Sequence, residues 1–228
     1  MTSLQWHWES RNGSVSALHA RPLQSSRWVE DLSPAGESVV LGSAQQPRLV
    51  DSDLADSLGI EVAQRRGGGG AVWLAPGAQL WLEFTIPPTD PLWLQDVGEA
   101  FMWLGELFRE TLAGLGVAAQ VHRSATVASA ASGLVCFGGL GPGEIVVGGQ
   151  KLVGISQRRT RAGARFQLVM YERLDHRPLV SLFGLGGSLA DELLGLLASS
   201  TTDAQRLGIS IVDVREKIRD RIEAEFGT

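Results

Sequence analysis

Two stretches of the chain hold residue types whose spacing could do chemistry. In GGQKLVGISQRRTR, Lys151 lies within a run of glycine and β-branched residues, and it is one of only two lysines among 20 basic side chains. If KLVGISQ is a strand, Lys151, Val153 and Ile155 share one face while Leu152, Gly154 and Ser156 share the other, so aliphatic neighbours partly desolvate the ammonium. Lysine offers a compact point charge that can touch a single oxygen, whereas arginine offers a broad planar fork. In a chain that otherwise uses arginine, the point charge suggests a purpose. An edge-strand lysine that discourages edge pairing is the alternative the letters leave open.

The second stretch is QRRGGGGAVW, residues 64–73, between two candidate strands. Its glycines, Gly67 to Gly70, lack Cβ atoms, so a ligand can approach the backbone and the N–H groups can form a concave anion site. Arg65 and Arg66 add positive charge suited to phosphate or carboxylate. The order strand, glycines, strand excludes a P-loop and a dinucleotide fingerprint, both of which need a helix next. A flexible hairpin tip would give the same letters. Cys136, the only cysteine, precedes Lys151 in LVCFGGLGPGE. It is either a nucleophile, whose thiolate a nearby cation such as Lys151 would favour, or a small buried hydrophobe. His122 and His176 have no metal-pair spacing and are read as satisfied histidines, so no metal site is expected.

The elements that must position these residues are short strands in two blocks with one long helix between them. SRWVEDL and ESVVLGS are early strands, and LVDSDLADSLG is a short helix with Asp51 or Ser52 as its cap and Gly59 as its stop. IEVAQR, AVWLA and QLWLEFTI follow as strands, the last two joined by the turn at Pro76 to Ala78. PLWLQDVGEAFMWLGELFRETLAGLG is expected to be one helix, with Leu94, Val97, Phe101, Leu104, Leu107, Phe108 and Leu112 on an apolar stripe. ATVASAASG reads as a loop, and LVCF, EIVVG, KLVGISQ and ARFQLVMYER as a second set of strands. SLADELLGLLASS and a final amphipathic helix from about Val212 to Phe226 close the chain. The class is α+β, a single domain over 1–228, with C-terminal helices across 182–226.

Bulk numbers narrow the function. With 228 residues, 44% apolar and 20% charged, the chain is an ordinary globular protein able to bury a core. A net charge of −5 argues against nucleic acid as a partner. One cysteine excludes an internal disulfide or a thiolate zinc site. No run approaches a membrane span and no signal peptide is evident, so the expected compartment is the cytoplasm.

Three segments together resemble a family. AQRRGGGGAVW is similar to the RRxSGGGAV motif of lipoate–protein ligases, GGQKLVGISQRR to their G-x-K-x-x-G-S-A-Q segment, and VVLGSAQQP to their IGxxQNP loop. The resemblance covers about residues 25–172. It implies the biotin/lipoate ligase fold, a mixed β-sheet flanked by helices, and attachment of lipoate or octanoate to a lysine of a lipoyl carrier domain. The carrier would be the glycine-cleavage H protein or a 2-oxoacid dehydrogenase E2. By the resemblance, Lys151 contacts the carboxyl or acyl-phosphate oxygen. Gly68, Gly69, Gly70 and Ala71 line the acyl and nucleotide pocket, and Arg65 lies near the phosphate. Gly154 and Ser156 flank the lysine, and Gln45 sits on the earlier loop. The ligase route uses ATP with Mg2+ through an acyl-adenylate. The cluster Arg158, Arg159, Arg161 and Arg165 would dock the carrier or hold the adenylate, with a solvated loop as the equal alternative.

The sequence departs from the pattern at three places. Gln64 stands at the motif's first arginine, Gly67 at its serine or threonine, and Leu168 at the histidine of a Q-H-G segment whose glutamine is Gln167. A separate small C-terminal domain such as some ligases carry is not expected here. One octanoyltransferase branch carries a nucleophilic cysteine in an (A/S)CF segment, and VCFGGLGPGE is similar in placement. The alternative expectation is therefore an ATP-independent transferase that takes octanoate from acyl-carrier protein onto Cys136. A non-catalytic member that only binds an acyl or nucleotide ligand is the third, and biotin in place of lipoate stays formally open.

Overall fold

The computed structural model describes residues 5–226. The first four residues, part of the stretch read above for a leader, and the last two of the 1–228 span lie outside the described residues.

The chain opens with strand β1 (His7–Gly13) and a short helix α1 (Val15–Ala20). Strands β2 (Trp28–Pro34) and β3 (Ser38–Leu41) follow, then helix α2 (Ser52–Ser57). Next come β4 (Glu61–Gln64), β5 (Val72–Leu74) and β6 (Gln79–Ile86), then helix α3 (Met102–Ala113). The second block is β7 (Gln120–Val121), β8 (Ile145–Val147), β9 (Gln150–Thr160) and β10 (Gly163–Tyr171). Helices α4 (Arg177–Ser181), α5 (Gly187–Ser200) and α6 (Ile211–Phe226) complete it. No helix among the described residues is long and apolar enough to cross a membrane.

Seven strands form a mixed sheet in the order β1-β2-β6-β10-β9-β8-β7, and β4-β3-β5 form a small second sheet. Among the described residues, only β1 and β2 pair in parallel within the large sheet. One face of that sheet, with Leu82, Phe84, Phe166, Leu168 and Met170, packs against Leu104, Phe108 and Leu112 of α3 and Val214 and Ile218 of α6. The opposite face, with Trp81 and Tyr171, packs against the small sheet, α4 and α5. The first core is the deeper one, and β6 is buried along its whole length.

Several expectations change on inspection. The long helix starts at Met102 after a 3-10 turn at Glu99–Phe101, and Leu94 and Val97 stay exposed, at 41% and 54%. The Asp96 carboxylate accepts from the Glu99 N–H at 2.9 Å where that turn begins, whereas α3 itself has no side-chain cap. LVCF is not a strand. Cys136–Gly138 form a 3-10 turn, because Gly138 packs so closely on Ala131 that a Cβ would lie 2.6 Å from it. The β1 strand and the short helices α1 and α4 escape the periodicity analysis altogether. Asp51, not Ser52, caps α2 by accepting from the Leu54 N–H.

The face of Lys151 also changes. A two-residue turn, Gly148 and Gly149, both at positive φ, joins β8 to β9 as a type I′ hairpin requires. The pairing then slips between Ile145 and Val146, so that Ile145 faces Val153 and Val146 faces Lys151. This bulge leaves Leu152 without a partner in register and breaks the alternation. Leu152 and Val153 both enter the helix-side core. Lys151 instead turns to the side of Gly154, where a Cβ would lie 3.4 Å from the lysine Cε.

Candidate active site

Two connected cavities lie between the small sheet and the β9–β10 end of the large one. The inner is a narrow slot of about 30 Å3, walled by Val40, Val72, Leu74, Trp81, Phe137, Gly154 and Val169. The outer is a groove of about 350 Å3, lined by Gly68, Gly69, Gly70, the Gly139–Pro142 turn, Glu144 and Lys151. Cys136, Ile155 and Ser156 line both and so mark their junction.

The glycine loop is shaped from inside. Arg65 is only 4% exposed, and its guanidinium donates to the carbonyl oxygens of Gly68 (2.7 Å), Gly70 (2.8 Å) and Val40 (3.3 Å). Its donors are thus spent on bending the loop. Gly69 needs its positive φ of 98°, and a Cβ on Gly70 would lie 2.5 Å from the Val135 carbonyl carbon. Beyond the loop, Ala71 is zipped to the cysteine turn: its N–H donates to Leu134 O at 2.8 Å, and its carbonyl accepts from Cys136 N–H at 2.9 Å. Gln45 lines neither cavity. Its amide accepts from Gly42 N–H and donates to the Gly133 and Leu134 carbonyls, tying two loops together. Gln64 reinforces that tie by donating to the Gly42 and Gln45 carbonyls.

Lys151 is buried, 4% exposed, and its ammonium is fully engaged. Nζ donates to the carbonyl oxygens of Cys136 and Gly139, each at 2.9 Å, and pairs with Glu144 Oε2 at 2.7 Å. It also lies 5.1 Å from the Phe137 ring centroid. An ammonium has three N–H donors, so these acceptors exhaust them. Glu144 is itself fixed, accepting from the N–H groups of Gly141 (2.7 Å) and Ile155 (2.9 Å). Glu144, which closes the VCFGGLGPGE segment of the resemblance without a role there, is therefore a functional candidate.

The inner end of the slot holds residues with no sequence signal. His19, Gln167 and Arg65 line it, and behind them lie Glu83 and Glu30, both fully buried. Arg21 and Arg165 pair with Glu83, at 3.2 and 2.8 Å, and Arg21 and Arg11 pair with Glu30. Burial pushes Glu83 up to about 7 against the pull of both arginines. Burial, helped by Arg65, Arg165 and Arg21, drives His19 down to about 3, so its ring is neutral at ordinary pH. Arg165 thus leaves the basic cluster for the interior, while Arg159 lies over the Trp93 ring and Arg161 is exposed. His122 hydrogen-bonds Ala125 O, and His176, lowered to about 4 by burial, contacts Thr201 Oγ1.

A family model described as the lipoyl protein ligase A/B catalytic domain matches residues 34–215. The chain belongs to that family. Solved structures agree on the fold. Lipoate-protein ligase A bound with ATP superposes with a TM-score of 0.71 at 19% identity, covering 99% of this chain and 85% of that one. The bi-partite lipoate protein ligase of Thermoplasma acidophilum, described with its E2 lipoyl domain, gives 0.70 at 18%, with coverage of 96% and 84%. Protein Ta0514 of the same organism, with bound lipoic acid, gives 0.70 at 19%, with coverage of 99% and 86%. No curated protein sequence matches the chain. The lipoyl ligase A/B catalytic domain is thus a mixed sheet flanked by helices, and in this member it brings Lys151, Cys136, the glycines and Ser156 to one pair of cavities.

Proposed function

We propose that the chain binds lipoate or octanoate with the tail in the slot and the head in the groove. It then activates the carboxyl with ATP and passes the acyl group to a lysine of a lipoyl carrier domain. The observation that carries this reading is the junction: a thin, mostly apolar slot opens into a roomier, glycine-walled groove that holds the Lys151 ammonium paired with Glu144. The slot suits a chain of methylenes, each worth about 0.8 kcal/mol on burial. One wall is Phe137, whose ring sits 3.3 Å from where a Cβ on Gly154 would be. The groove is within the size range of small-ligand sites, and its lining fits a nucleotide. Backbone without Cβ atoms at Gly68 to Gly70 suits phosphates, and both amide atoms of Gln157 in the lining have no hydrogen-bond partner among the described residues. Bound there, ATP supplies the leaving group that makes the carboxyl reactive. Mg2+ is held chiefly by phosphates and water in such sites and needs no cage of protein carboxylates.

The role of Lys151 in this reading is electrostatic. A buried cation beside the junction favours the negative charge that builds on the acyl oxygen as an amine attacks, and a single such donor is typically worth ~3–4 kcal/mol. To touch that oxygen, Nζ must trade one of its present acceptors. The Cys136 and Gly139 carbonyls belong to a turn that lines the groove, so the trade is local. The likeness to a ligase described with its E2 lipoyl domain supports a lipoyl domain as the acceptor, with the H protein as its counterpart.

A second reading rests on Cys136, which lines both cavities where the acyl carbonyl would lie. Its thiolate would attack the thioester of an octanoyl carrier protein and release the carrier thiol with a proton. The acceptor lysine amine would then attack, returning the cysteine thiolate. Two assays on one preparation separate these. Pyrophosphate release from ATP with lipoate or octanoate, undiminished in Cys136→Ser, supports the ligase. An octanoyl mass gain from the carrier protein without ATP, abolished in Cys136→Ser, supports the transferase. Neither signal, with ligand still stabilising the fold, leaves a binding protein.

A further inference from the structure

On the acyl-transfer reading, the reacting carbonyl sits at the cavity junction, beside Cys136 at the floor of the groove. A carrier lysine reaches it only on a four-carbon stem, so the body of the carrier must rest on whatever surrounds the mouth. Two walls rise there. One is segment 92–98, ahead of α3, where the Arg159 guanidinium donates to the carbonyl oxygens of Leu94 and Gln95 and lies 4.3 Å from the Trp93 ring centroid. The other is segment 123–130, exposed throughout and built almost wholly of small residues. Val97 of the first wall and Thr126 of the second both line the groove.

Both walls hold aliphatic side chains out to water. Leu94, Val97 and Val127 are 41%, 54% and 55% exposed. Their backbone is fixed: Val127 exchanges hydrogen bonds with Leu140 at 2.8 and 3.0 Å, and Arg159 holds the Leu94 carbonyl. Aliphatic groups on a preorganised backbone lose little freedom on docking, and such groups form the dry centre of an interface. Beside the glycine loop the rim is cationic, although the chain as a whole carries −5. A Cβ on Gly67 would lie 3.4 Å from Ser156 Oγ and 3.5 Å from the Gln157 carbonyl oxygen, so the backbones that carry Arg66 and Arg158 run side by side. Arg161 is exposed at the tip of the β9–β10 hairpin. Among the described residues, none of these three arginines has a hydrogen-bond or ion-pair partner. The acids nearest the first wall are Asp96, engaged with Glu99 N–H, and Glu99 itself.

We propose that this rim is the docking face for the lipoyl carrier domain, an inference that rests on the acyl-transfer reading above. Leu94 and Val127 meet an apolar patch beside the acceptor lysine, and Arg66, Arg158 and Arg161 meet carboxylates around it. The arginines govern encounter and orientation, while the aliphatic contacts hold the complex together. The partner's matching surface is therefore acidic with an apolar centre.

The test supplies lipoate with ATP, or octanoyl carrier protein, and measures acyl transfer to an apo lipoyl domain. In parallel it measures transfer to hydroxylamine, a small nucleophile that traps activated acyl groups and needs no docking face. Leu94→Asp and Val127→Asp, at positions lining neither cavity, should each raise KM for the lipoyl domain about tenfold, with the hydroxylamine rate within about twofold. Arg161→Glu should raise that KM as well and flatten its increase with salt. Val212→Asp is the control: Val212 is 50% exposed at the start of α6, beside Glu172 at the opposite end of β10 from the hairpin, and its replacement should change nothing. Unchanged KM in both aliphatic variants, or an equal rise in the control, overturns the inference while acyl transfer stands. A rise confined to the KM for octanoyl carrier protein gives the rim to the donor, and a dimer in sedimentation that Leu94→Asp dissociates gives it to a second copy. Either result overturns the inference, as does product with hydroxylamine alone. Product with neither acceptor overturns the acyl-transfer reading and this inference with it.

Discussion

Along β10, Phe166, Leu168 and Met170 look into the layer of α3 and α6, while Arg165, Gln167 and Val169 look toward the slot. β6 divides the same way, with Leu82 and Phe84 on one side and Trp81 and Glu83 on the other. On these two strands the helix-side face is apolar throughout. The slot-side face buries carboxylates and guanidiniums that must be paired one by one, because an unpaired buried charge is far costlier than a lost methyl group. Period-two alternation thus lets one strand serve two ends: residues that hold the fold and residues that hold a ligand are neighbours in sequence, separated by the thickness of the sheet.

The sharpest way to break that division is to truncate the helix-side face. Phe166→Ala removes a fully buried ring and is expected to cost about 3–5 kcal/mol in urea unfolding, with kcat/KM of the folded fraction within about threefold. Collapse of kcat/KM with an unchanged unfolding midpoint would mean that the faces are not independent. Lys151→Met should lower the acyl-transfer rate about 10²–10³-fold, and it also strands Glu144 without its cation. Adding Glu144→Leu should recover stability while the rate stays low, since replacing both members of a buried pair is often neutral. Recovery of the rate would remove Lys151 from the chemistry.

Two glycines give a smaller and more local contrast. In Gly70→Ala the new Cβ meets the Val135 backbone at 2.5 Å, and overpacking of this kind costs about 1–3 kcal/mol along with the loop's shape. Gly67→Ala meets nothing nearer than the Ser156 hydroxyl at 3.4 Å and the Gln157 carbonyl at 3.5 Å, and should change the melting temperature and the rate little. Equal effects at the two positions would mean that the loop is not moulded against the cysteine turn. The mildest effect concerns acid. His19 and His176 titrate near 6.5 when unfolded and at about 3 and 4 when folded, both lowered by burial. Between those limits the unfolded chain binds more protons, so stability falls as pH drops below about 6.5, by up to ~1.4 kcal/mol per pH unit for each ring. His19→Phe should make chemical denaturation curves shallower in their pH dependence from pH 6.5 to 4.

Much of this arrangement was legible in the letters. The β-branched and aromatic runs gave β3 to β6 and β8 to β10 their places, and the glycine and lysine motifs located the loop and the strand that line the groove. Motif reading is local, however, and three features lie beyond it. The 3-10 turn at Glu99–Phe101 delays α3 to Met102, a choice the apolar stripe does not encode. The slip opposite Leu152 reverses the face of Lys151, and no count of alternate residues reveals a bulge. His19 stands on a helix of six residues, too short for a period, and meets Gln167 only after 148 intervening steps of chain have folded.

The self-neutralised lysine has a consequence for what the groove ignores. Because Glu144 and two peptide oxygens already satisfy the ammonium, stray chloride or phosphate from the cell finds little net attraction at the centre. Only a molecule that also brings a hydrocarbon tail gains enough from leaving water to unseat those internal partners. Selection between anions is thus delegated to the greasy end of the visitor, not to its charge.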